Sequence, residues 1–63
     1  MTVREFLEYA TDDFYEVEFY DVNTGESTVM SLYDAKDHNE IMDAEFVSWD
    51  IGDHFCINYD KGE

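Results

Sequence analysis

The chain has 63 residues, 17 of them Asp or Glu and three Lys or Arg, for a formal net charge of −14. Binding to a nucleic-acid backbone requires Lys and Arg to displace counterions, and an anionic membrane surface makes the same demand, so direct contact with either is excluded. Apolar runs stop at two or three residues, which argues against a transmembrane helix or a secretory signal. The lone Cys56 cannot form an internal disulfide and points to a cytoplasmic setting. High charge usually means disorder, yet the composition is 44% hydrophobic and 17% aromatic with no proline. That describes one folded domain over 1–63, too small for a deep catalytic cleft.

Thr2-Val3-Arg4-Glu5 fits a capping box, in which the threonine hydroxyl and the glutamate carboxylate each satisfy the other's backbone N–H. Val3, Phe6, Leu7 and Ala10 follow at helical spacing, so a short amphipathic helix is expected over 3–10, with Glu5, Glu8 and Asp12 on its outer side. Period two then takes over across 14–22. Tyr15, Val17 and Phe19 fall on one face, and Phe14, Glu16, Glu18, Tyr20 and Val22 on the other. Asn23-Thr24-Gly25-Glu26 carries turn chemistry, with Gly25 suited to a left-handed position, and 27–33 returns as a strand. Asp34 is the expected N-cap of a second helix over 35–43. In it Ile41, Met42, Ala35 and His38 turn inward, while Asp37, Glu40 and Asp43 stay solvated.

The end of the chain predicts a second hairpin about Gly52-Asp53. Val47, Trp49 and Ile51 alternate with Phe46, Ser48 and Asp50; Phe55, Ile57 and Tyr59 alternate with His54, Cys56 and Asn58. The order αββαββ predicts an α+β fold, a four-stranded, mainly antiparallel sheet with two short helices packed on one face. The expected core is Val3, Phe6, Leu7, Val17, Phe19, Met30, Leu32, Ile41, Trp49, Ile51, Phe55 and Ile57. The other sheet face would then carry Glu16, Glu18, Tyr20, Val29, Ser31, Tyr33, Ser48, Cys56 and Asn58. Aromatics interleaved with carboxylates read as a binding surface.

Catalytic and metal chemistry find little support. His54 and Cys56 share a strand face, but a free cysteine usually serves as a small buried hydrophobe. One Cys and two separated His do not make a zinc site, and no cofactor is expected. Asp21-Val22-Asn23-Thr24-Gly25-Glu26 begins like an EF-hand loop, but that loop needs Gly at its sixth position and Glu at its twelfth. Gly25 stands fifth and Leu32 twelfth, so a hairpin turn is the better reading.

The acids themselves form rows. Glu16 and Glu18 are two apart on one strand face, about 6.5–7 Å, comparable to the phosphate spacing along a nucleic-acid strand. Glu5, Glu8 and Asp12 make one helical stripe; Asp37, Glu40 and Asp43 make another. Such rows suit a protein groove lined by Lys and Arg, with Tyr20 and Tyr33 as aromatic anchors. In size, charge and this interleaved acid–aromatic pattern, nearly the whole chain resembles the small acidic proteins of phages and mobile elements. These include DNA mimics of the anti-CRISPR and anti-restriction type. The resemblance implies a non-enzymatic inhibitor in the host cytoplasm. Its partner would be a basic nucleic-acid-binding protein, a defence nuclease or CRISPR effector, blocked where DNA would bind. The alternative is a small adaptor or assembly protein, a homodimer through the open sheet face or an edge strand.

Overall fold

The computed structural model describes residues 1–10 and 15–62. Its elements are α1 (Val3–Phe6), continued by a 3₁₀ turn at Leu7–Tyr9, then β1 (Glu16–Asp21), β2 (Ser27–Ser31), α2 (Leu32–Ala35), α3 (Asn39–Met42), β3 (Glu45–Ile51) and β4 (Phe55–Asp60). The strands form one sheet in the order β2-β1-β4-β3. β1–β2 and β3–β4 are antiparallel hairpins, and the central pair β1–β4 is parallel. This is the expected small α+β fold.

The capping box is present as written in the sequence. Thr2 Oγ1 accepts from the Glu5 N–H at 3.1 Å, and the Thr2 N–H donates to Glu5 Oε1 at 2.8 Å. That fixes the start of α1 and buries Val3 completely. The first hairpin turns where expected. Gly25 takes φ +79°, and its N–H donates to the Asp21 carbonyl at 2.8 Å. Asp21 is only 5% exposed and its Oδ1 accepts from the Asn23 N–H at 2.9 Å. The carboxylate that resembled the first ligand of a calcium loop therefore locks the turn from inside. Asn23 Nδ2 in turn donates to Asp60 Oδ1 at 2.7 Å, tying the turn to the end of β4.

The second helix differs from expectation. β2 ends at Ser31, and the Ser31 hydroxyl, not Asp34, caps α2, accepting from the Asp34 N–H at 3.2 Å. Leu32 and Tyr33 are thereby drawn from the strand into α2, and Asp34 occupies its third position, where an acid favours the helix dipole. The chain breaks at His38 and restarts as α3, so 35–43 is two single turns rather than one helix. His38 faces outward, with Nδ1 3.0 Å from Glu40 Oε1. Loss of the Ser31 cap is expected to cost about 1 kcal/mol; Ser31→Ala should lower the thermal midpoint by about 4–8 °C, measured by circular dichroism.

The core lies between the helices and one sheet face. It comprises Val3, Val17, Phe19, Leu32, Ala35, Ile41, Met42, Ala44, Ile57 and Tyr59, with Phe6, Leu7, Met30, Phe46 and Phe55 packed at its margin. Two expected core residues fall outside it: Trp49 is 52% exposed and Ile51 72%. They lie on the core side of the sheet, opposite Ile57 and Phe55, but β3 is an edge strand and the helices cover only its beginning. There Phe46 stacks on Phe6 with ring centroids 4.1 Å apart. Phe46 faces inward because the β3–β4 register shifts between Phe46 and Ser48. Val47 is the extra residue, so side-chain parity changes across it.

Candidate functional site

The sheet face away from the helices is open, and strand register decides what it presents. Directly opposed residues share a face, so the pairings Val29–Glu18, Glu18–Cys56 and Cys56–Asp50 place these four side chains in one row across all four strands. A second row runs Ser27, Tyr20, Asn58, Ser48 by the same pairings. Glu16 stands opposite Ser31 at the margin. A shallow concavity joins Glu18, Tyr20, Val29, Asp50, Cys56 and Asn58 to the β3–β4 turn at Asp53 and His54. Asn58 Nδ2 donates to Ser48 Oγ at 3.0 Å, which fixes the floor.

Neighbouring strands are about 4.8 Å apart, so Glu18 and Asp50 flank Cys56 from both sides. Burial, then Asp50, then Glu18 push the Cys56 thiol above its ordinary value. A nucleophilic cysteine needs the opposite, an electropositive setting that lowers the pKa. His54 and Cys56 do line the same concavity, but the electrostatics there favour a protonated thiol. The face is suited to receive positive charge rather than to attack a substrate.

The predicted site residues separate into groups. Glu16, Glu18 and Tyr20 lie together on the open face. Tyr33 does not join Tyr20, because it belongs to α2, where it is exposed. Glu5 is engaged in the capping box, and its hydrogen bonds to Thr2 hold its carboxyl below the usual range. Glu8 is exposed on the 3₁₀ turn, and Asp12 lies outside the described residues. Asp37, Glu40 and Asp43 do not form a stripe on one helix. Asp37 is in the turn after α2, Glu40 is in α3, and Asp43 ends α3 within 3.3 Å of Arg4 Nε. The acid rows read from the sequence omit Asp50, although its parity with Ser48 and its place two residues before Gly52 are both visible there.

The three cations sit elsewhere. Arg4 and Lys36 border a cavity of about 470 Å³ on the helix side, together with Glu5 and Glu8, over Leu7, Leu32 and Met42. Lys61 lies 6.0 Å from the centroid of the Tyr59 ring and beside Glu40 and Asp43. Among the described residues no group of three or more His, Cys, Asp or Glu is arranged to hold a metal ion, and no helix is long and apolar enough to cross a membrane. No family model matches the chain, and no curated protein or solved structure was found to be similar to it.

Proposed function

We propose that this chain is a non-enzymatic binding protein whose open sheet face docks on a basic, nucleic-acid-binding surface of another protein and keeps nucleic acid off it. The observation that carries this reading is where the cations lie. Glu18, Asp50 and Asp53 border one concave face with no Lys or Arg among its described lining residues, and Glu16 shares the Glu18 side of β1. Arg4, Lys36 and Lys61 all lie around the helix side, beside Glu5, Glu8, Glu40 and Asp43. Strands hold the carboxylates at fixed spacing, so little side-chain or backbone order has to be imposed on binding. Tyr20 and Val29 add apolar contact between the acids. The resemblance to acidic anti-defence proteins makes a defence nuclease, such as a CRISPR effector, the partner class to test first. The exposed apolar edge of β3 favours a second reading, an adaptor or assembly protein.

The test is binding of the immobilised chain to a panel of CRISPR effectors and restriction nucleases, with and without excess duplex DNA. Expected is a complex that competes with DNA and weakens at least tenfold between about 50 and about 200 mM salt. Binding indifferent to DNA would remove the mimicry reading and leave the adaptor one.

A further inference from the structure

β3 leaves large apolar side chains in solvent on the side of the sheet opposite the acidic face. Trp49 stacks on Phe55 at a centroid distance of 5.6 Å, yet it remains 52% exposed. Ile51, two residues on, is more exposed still. The strand is also an edge. Among the described residues its outer side is met only at its start, where Thr2 bridges Glu45 in antiparallel fashion and the Phe46 N–H donates to the Met1 carbonyl at 2.8 Å. From Ser48 to Ile51 no described strand covers it. Edge strands are normally guarded by charge, proline or a bulge. Here the bulge lies at the covered end, and the open stretch has Asp50 alone.

We infer that the Ser48–Ile51 edge is a docking site for an extended basic segment of a partner protein, added as a fifth strand antiparallel to β3. The Thr2–Glu45 bridge sets the direction, since an antiparallel newcomer continues the line of Met1–Thr2. The alternation on β3 sets the side chains. Residues facing Trp49 and Ile51 fall on the apolar side, and the residue facing Asp50 falls on the acidic side. The segment recognised is therefore apolar–basic–apolar, held by main-chain hydrogen bonds and sorted by its alternate side chains. A second copy of this chain fits poorly. It would bring −14 against −14 and set Asp50 of each copy on one common face. The inference needs a basic strand, not a nucleic-acid-binding surface, so it stands or falls apart from the nuclease reading.

Trp49 is the single tryptophan, so its fluorescence reports this edge directly. The probe is a peptide of about eight residues alternating Val and Lys, compared with one of the same composition in two blocks. The alternating peptide is expected to bind about tenfold more tightly, to shift Trp49 emission and to slow hydrogen exchange of β3 amides between Ser48 and Ile51. Ile51→Lys should erase the preference without unfolding the protein, because that side chain lies in solvent. Equal affinity for the two peptides, or protection at β2 instead of β3, overturns the inference. So does a peptide-free dimer in sedimentation that Ile51→Lys dissociates, since a second copy then occupies the edge.

Discussion

Reversing Glu18 and Asp50 together, as Glu18→Lys/Asp50→Lys, is expected to move two observables in opposite senses. Affinity for a basic partner surface falls by about 2–3 kcal/mol, a factor of roughly 30 to 150, because two attractive contacts become repulsive on one rigid row. Alkylation of Cys56 at mildly alkaline pH becomes about tenfold faster, because the two charges that help hold the thiol protonated change sign. The thiol readout needs no partner, so it verifies the row Glu18–Cys56–Asp50 even if the partner class is wrong. The variant shifts the net charge from −14 to −10. That relieves self-repulsion, so the thermal midpoint should not fall, and faster alkylation cannot be ascribed to unfolding. Glu8→Lys/Asp37→Lys makes the same change of net charge away from the sheet. It should leave Cys56 unchanged and cost the partner complex far less, by weaker steering alone. Equal losses from the two double variants would mean that total charge, not the open face, governs binding.

The sequence was most informative where the signal was local. The capping box at Thr2–Glu5 and the turn at Gly25 need only neighbours a few residues apart, and both form as their chemistry demands. The faces of β1 and β4 follow from parity, which is why Glu16, Glu18, Tyr20, Cys56 and Asn58 emerge together. What was illegible depended on competition or on distance. Ser31 and Asp34 can both cap a helix, and the choice between them decides whether Tyr33 joins the sheet face or leaves it. A one-residue bulge at Val47 reverses which side Phe46 faces, and no residue type announces it. The parallel pairing of β1 with β4 is a contact between residues nearly 40 apart in sequence. It makes β3 an edge, and with that Trp49 and Ile51 become surface rather than core. Alternation places them on the correct side of the sheet; only the order of the strands says whether anything covers that side.

Phe19→Ala provides the sharpest measure of that distinction, and it is expected to unfold the protein. Phe19 is completely buried in central strand β1, between Thr28 on β2 and Ile57 on β4. Truncating a buried phenylalanine costs about 3–5 kcal/mol through lost transfer energy and the cavity left behind. Stability of about 0.05–0.15 kcal/mol per residue gives a domain of this length only about 3–9 kcal/mol in total. Repulsion among 17 acids places the chain toward the lower end of that range. At about 4–8 °C per kcal/mol, the midpoint should drop by at least about 12 °C, and at low salt the cooperative transition should vanish. Added salt screens the repulsion and should restore part of it. Ile51→Ala, on the same side of the sheet but in solvent, should change stability by no more than about 0.5 kcal/mol. Thermal scans of the two variants at low and high salt separate the outcomes. A large loss from Ile51→Ala would show that β3 is covered in solution, whereas a mild loss from Phe19→Ala would place the core elsewhere than against β1 and β4.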